Sequence, residues 1–140
     1  MTNPAGASDQ LMALVLQAVD HGLKLIESGA DVVPFLLTSA AITVLTTDTM
    51  DEAMAVVQQV MNSDQVDCCA FVYDSYLTSG GTRTEALSVE GYQRGQPTPL
   101  RFAQRYRRPR PAGFLRKARP LQRLGNLTYL AGDTQVRPVS

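Results

Sequence analysis

An α+β fold follows from three features of the chain. Two amphipathic helical segments are set apart by short β-favouring runs, a glycine-turned meander follows the second helix, and strands and helices do not alternate as a parallel sheet requires. The expected architecture is an antiparallel sheet of about four to six strands with two helices packed on one face, in the order α-β-β-α-β-β-β-(β). A length of 140 residues fits one domain, and 44% apolar residues can form a core without staples. Residues 1–8 read as a flexible N-terminus, and residues 107–120 as a Pro/Arg-rich loop or arm within the domain.

Ser8 is placed to cap a helix over Asp9 to Ser28. Its apolar positions Leu11, Leu14, Val15, Ala18, Val19, Leu25 and Ile26 recur at helical spacing, and Gly29 supplies a stop. Gly22 lowers helix propensity by about 1 kcal/mol relative to Ala, so it is expected at a close contact. Val32 to Ser39 and Ile42 to Thr46 are short β-favouring runs that pair as a small hairpin. Thr49 and Glu52 have capping-box spacing and open a second helix with Met50, Ala53, Met54, Val57, Val60 and Met61 on one side.

Val66 to Thr78 is strand-like, and Ser79-Gly80-Gly81-Thr82 supplies the positive-φ residues of a two-residue hairpin turn into Arg83 to Tyr92. Pairing Ser79 with Thr82 sets Tyr73 opposite Ser88, Ser75 opposite Ala86 and Tyr76 opposite Glu85. This turn joins two strands and lacks the lysine and following helix of a phosphate loop. Leu100, Phe102, Gln104 and Tyr106 alternate with Arg101, Ala103, Arg105 and Arg107 as a third strand. Pro109, Pro111 and Pro120 then leave an extended or loop-like segment, and Leu124 to Leu130 returns as a last short strand.

The stretch Tyr73-Asp74, Arg83-Thr84-Glu85-Ala86, Val89-Glu90, Gly95 and Phe102-Ala103-Gln104-Arg105-Tyr106 resembles a group of small bacterial proteins of unassigned function, as does Pro34-Phe35. The likeness covers the meander, a minority of the chain. It implies a stand-alone bacterial α+β domain and brings no reaction, ligand or functional residue with it.

Charge is sorted along the chain. Residues 1–93 carry twelve acidic side chains against Lys24 and Arg83, a net of −10, whereas residues 94–140 carry eleven basic side chains against Asp133, a net of +10. Ten of these cations lie between Arg94 and Arg123, interleaved with Phe102, Tyr106 and Phe114. Arg101 and Arg105 are expected to meet Glu85 and Glu90 across the sheet, each pair contributing about 0.2–1 kcal/mol. The partner-binding surface is assigned to Arg105, Arg107, Arg108, Arg110, Arg116, Lys117 and Arg119. An acidic protein surface, the protein's own second copy included, is the first partner expected, because the acidic half offers one. Nucleic acid or another polyanion is the second, since guanidinium forks hold phosphates and rings stack on bases. A sequence pI of about 6.6 and the lack of a helix-turn-helix, finger or RNA-recognition signature count against a dedicated nucleic-acid domain.

Action by binding is expected, with no catalytic residue, cofactor or metal assigned. Asp74, Glu85 and Glu90 form the carboxylate set that acid/base work would use, but Glu90 falls on the opposite face of the hairpin from the other two. The enzyme alternative therefore rests on Asp74, Glu85 and Tyr76 with a metal ion. Adjacent Cys68 and Cys69 point to opposite faces and read as reduced, packed thiols, and a single histidine rules out the usual zinc cage. His21 reads as a neighbour at the core margin, and Met50, Met54 and Met61 as core. The N-terminal stretch lacks the pattern of a signal peptide or spanning helix, so no membrane partner and a cytoplasmic location are expected. The Asn126-Leu127-Thr128 sequon then has no consequence.

Overall fold

The computed structural model describes residues 4–130 and 136–138. Helix α1 (Asp9–Glu27) starts where the Ser8 hydroxyl accepts the Leu11 N–H at 3.1 Å. Strands β1 (Phe35–Leu37) and β2 (Ile42–Val44) form the small hairpin. Helix α2 (Met50–Met61) opens as the spacing predicts: Thr49 Oγ1 accepts the Glu52 N–H at 3.1 Å, and the Glu52 carboxylate reaches back to the Asp48 N–H at 3.0 Å. The meander is β3 (Cys68–Ser79), β4 (Thr82–Gln93) and β5 (Leu100–Arg107), followed by the short β6 (Gln122–Arg123), β7 (Thr128–Leu130) and β8 (Val136–Pro138).

The sheet runs β2-β1-β3-β4-β5-β6, with β7 also on β5 and β8 also on β3. Every pairing is antiparallel, so the α+β expectation holds. The strands beyond the expected four to six are two- and three-residue additions at the outer edges of β3 and β5. The central register is the one the glycine turn dictates. Ser79 pairs with Thr82, and from there Tyr76 with Glu85, Ser75 with Ala86 and Tyr73 with Ser88. Gly80 and Gly81 take φ of 57° and 80° at the turn.

The placement of the helices corrects the expectation of a single covered face. Cys68, Ala70 and Val72 of β3 pack in one cluster with α1, while Cys69, Phe71 and Tyr73 pack in another with Ala53 and Val57 of α2. Side chains alternate along a strand, so α1 and α2 lie on opposite faces. The physical reason is the run Cys68-Cys69-Ala70-Phe71-Val72-Tyr73, which is apolar in both phases and stays dry only if both faces are covered. β1 repeats the arrangement: Phe35 and Leu37 join the α1 cluster and Leu36 the α2 cluster.

Close packing of α1 depends on Gly22, where an added Cβ would stand 2.5 Å from Leu87 Cδ2. His21 meets the Phe35 ring edge-on at 5.1 Å, at the margin of that core. Met50, Met54 and Met61 pack against the α2 cluster. Cys68 and Cys69 are buried and unbridged, and burial pushes the Cys69 thiol up to about 12, so it carries its proton at neutral pH. Pro4 to Ser8, part of the stretch expected to be loose, are tied to β4: Gln93 Oε1 accepts the Ser8 N–H at 3.0 Å and Gln93 Nε2 donates to Gly6 O at 2.9 Å. Met1 to Asn3 lie outside the described residues. Among the described residues, no helix is long and apolar enough to cross a membrane.

Candidate functional site

The proline-bearing segment, read from the sequence as an extended or loop-like arm, is a hairpin. Beyond Tyr106↔Arg123 and Arg107↔Gln122 the two limbs stay in register, pairing Arg110 with Arg119 and Gly113 with Arg116. Pro109 and Pro120 have no N–H to give, and the ladder passes over them. It resumes with Arg110 N–H to Arg119 O at 2.7 Å and Arg119 N–H to Arg110 O at 2.8 Å. Reciprocal bonds of 3.0 and 3.1 Å between Gly113 and Arg116 close the end around Phe114 and Leu115. Leu115 sits at φ 72°, a region that a branched side chain enters only under strain. Phe114 and Leu115 are 94% and 91% exposed.

At the base of this arm lies an ion-pair cluster. Arg108 Nη2 donates to Asp74 Oδ2 and Arg108 Nε to Glu85 Oε1, each at 2.7 Å. The Tyr106 hydroxyl donates to Asp74 Oδ1, also at 2.7 Å. Partial burial pulls the Arg108 pKa down, but the Glu85 bond and the neighbouring Tyr106, Glu85 and Asp74 outweigh it, and the net shift is upward. Burial, then the bond to Asp74, pushes the Tyr106 phenol up as well. The two carboxylates proposed for metal chemistry are thus turned onto one arginine, and Tyr76 carries the Arg83 guanidinium 3.8 Å above its ring. Among the described residues, no three carboxylate, histidine or cysteine side chains converge as a metal site would require.

Glu90 occupies the other face, as its register implies. Tyr92 donates to Glu90 Oε1 at 3.4 Å, Tyr73 bonds the same carboxylate, and Arg101 pairs with it across the ladder. Burial pushes the Glu90 carboxyl above its ordinary value although Tyr73, Arg101 and Tyr92 each pull it back. Next to it, Ser75 Oγ and Ser88 Oγ are 2.6 Å apart, and Ser75 Oγ donates to Ala86 O at 2.7 Å. This polar cluster satisfies itself within the sheet.

The seven cations assigned to a partner divide accordingly. Arg108 leaves the set because Asp74 and Glu85 hold it, whereas Arg105 lies opposite Ala86 and misses the carboxylate it was expected to meet. Arg105 is half-buried in the sheet. Arg94 and Arg123, at the ends of the basic segment, pair with Asp67 and Asp20. Arg107, Arg110, Arg116, Lys117 and Arg119 remain. Among the described residues, no carboxylate pairs with any of them. Arg110 Nη2 donates to Lys117 O at 3.2 Å and Arg119 Nη2 to Arg108 O at 3.0 Å, which steadies both guanidinium groups against the ribbon. Loss of solvent, then the charges of Arg110, Arg107 and Arg116, pulls Arg119 below its ordinary pKa. Sequence reasoning found these cations and missed the exposed tip, because nothing in an Arg/Pro-rich run announces a two-residue turn without glycine at its left-handed position.

No family model, curated protein or solved structure matches the chain.

Proposed function

We propose that this is a non-catalytic binding protein whose working part is the hairpin arm, and that the arm takes hold of a polyanion. The observation that carries this reading is the set Arg107, Arg110, Arg116, Lys117 and Arg119: five cations on one paired ribbon, with no described carboxylate to neutralise them. Four of the five are arginines, whose planar forks suit phosphate and sulfate oxygens. Arg110 and Arg119 face each other across the ladder, where like charges repel, and an anion between them relieves the repulsion. The protein's own acids are less available than their number suggests, since Asp20, Asp67, Asp74 and Glu85 are already paired.

Retention on an immobilised sulfated polysaccharide tests the reading. The protein is expected to bind at low salt and elute as salt rises, and replacing the five arm cations by Gln is expected to abolish retention. Equal elution of the two proteins refutes the proposal.

An acidic protein surface, the second copy included, is the other reading, and one observation favours it. Asp48, Asp51 and Glu52 are exposed at the start of α2, next to edge strand β2 with its exposed Ile42 and Val44. Sedimentation at low and high ionic strength decides: a dimer that dissociates with salt supports self-association, and a monomer in both removes it.

A further inference from the structure

Phe114 and Leu115 are of no use to a purely ionic partner. They stand at the far end of the ribbon, almost wholly in water, with Leu115 in a backbone region that disfavours it. A polyanion without apolar faces, such as a sulfated polysaccharide or polyphosphate, gives them nothing to cover. The class of polyanion that alternates negative charge with flat apolar faces is nucleic acid, and those faces are accessible only where bases are unpaired. We propose that the arm binds single-stranded nucleic acid, with phosphates along the ribbon at Arg107, Arg110, Arg116, Lys117 and Arg119 and an unpaired base against the Phe114 ring. The inference rests on the polyanion reading above.

Three features of the arm fit this occupant. Arg110 and Arg119 are cross-strand partners, and each guanidinium is steadied by one bond to a backbone carbonyl, from Arg110 Nη2 to Lys117 O and from Arg119 Nη2 to Arg108 O. Two steadied cations therefore flank one position on the ribbon, as a phosphodiester needs. From Arg107 to Gly113 the limb spans about 20 Å at the usual strand rise, enough to track several nucleotides. Residues 107–120 include no Asn, Gln, Ser, Thr, Asp or Glu, so the amide and carboxylate readers of adenine and cytosine edges are missing. Charge and stacking with no amide or carboxylate reader describe a binder of unpaired strands with little preference among adenine, cytosine and uracil.

Fluorescence anisotropy with four probes tests the inference: an oligouridine of about 16 nucleotides, a duplex of equal length, heparin, and phosphatidylserine-containing vesicles. The compared proteins are wild type, Phe114→Ala and Phe114→Tyr. The single strand is expected to bind at least about tenfold more tightly than the duplex. Phe114→Ala is expected to weaken single-strand binding roughly tenfold and leave heparin binding unchanged, and Phe114→Tyr to restore it. Single-strand affinity indifferent to Phe114→Ala, or equal affinity for duplex, overturns the inference. So does binding to vesicles alone with loss in Phe114→Ala, which assigns the tip to a lipid surface. Loss of heparin binding by the wild type is a different failure, that of the polyanion reading itself. Because Phe114 lies in solvent at a turn, its variants are expected to fold as the wild type does.

Discussion

Arg108 Nη2 lies 2.7 Å from Asp74 Oδ2, so this cation at the base of the arm belongs to the body of the protein and not to a partner. The Asp74 side chain is only 10% exposed, and a second bond from Arg108 to Glu85 closes a three-membered ion cluster where the arm leaves the sheet. Removing Arg108 strands a nearly buried carboxylate. Arg108→Gln is expected to lower unfolding free energy by about 2 kcal/mol, since Arg108 is itself partly solvated and the full cost of a buried pair does not apply. Urea denaturation measures this. Retention on the sulfated matrix is expected to change little, and a variant that keeps its stability but loses retention would return Arg108 to the binding surface.

Gly22 lets α1 settle onto the fully buried Leu87. In Gly22→Ala, about 1 kcal/mol of helix propensity is gained while overpacking against Leu87 costs about 1–3 kcal/mol, giving a net loss of about 1 kcal/mol. In a Leu87→Ala background the clash disappears and the same substitution is expected to stabilise. A thermal double-mutant cycle reads the sign reversal, and additive effects would show that Gly22 is not a contact point.

Glu90 makes stability depend on pH in a stated direction. Its folded pKa is raised above the ordinary value of 4.5, so its contribution is complete below that value and is lost as pH rises through the folded value. Glu90→Gln keeps an acceptor for Tyr73 and Tyr92 without the buried charge. Its stability relative to wild type is therefore expected to improve as pH rises from 4 toward neutrality. Chemical denaturation at both ends checks this, and an advantage that shrinks with pH contradicts the assignment.

Leu115 at φ 72° carries a left-handed penalty of about 1–2 kcal/mol that glycine avoids. Leu115→Gly is expected to slow exchange of the Arg110 and Arg119 amides, whose bonds hold the arm's ladder, by roughly five- to thirtyfold. Faster exchange in the variant would mean that Leu115 holds the tip together by contacts instead of straining it.

Much of the fold was legible because local rules agreed. Ser8 and Thr49 cap where their spacing places them, and the Gly80-Gly81 turn fixes a register that carries through the whole meander. The placement of α2 was misread although its signal was present: Cys68 to Tyr73 is apolar in both phases, which only a doubly covered strand satisfies. At the candidate site, the cations could be counted in sequence but their partners could not. That Glu85 takes Arg108 and not Arg105 depends on where the chain turns after β5, a long-range outcome that no local pattern encodes. The tip was hidden for a related reason, since Leu at a positive-φ position contradicts the turn preference that would have revealed it.

The central claim is that five arm cations are available to phosphates, and the salt dependence of single-strand affinity measures that number directly. Each phosphate contact contributes about −0.7 to the slope of log K against log salt concentration, so five predict a slope of about −3.5. Replacing Arg110 and Arg119 by Gln is predicted to reduce it to about −2. A slope near zero, or one that this double replacement leaves unchanged, contradicts the account.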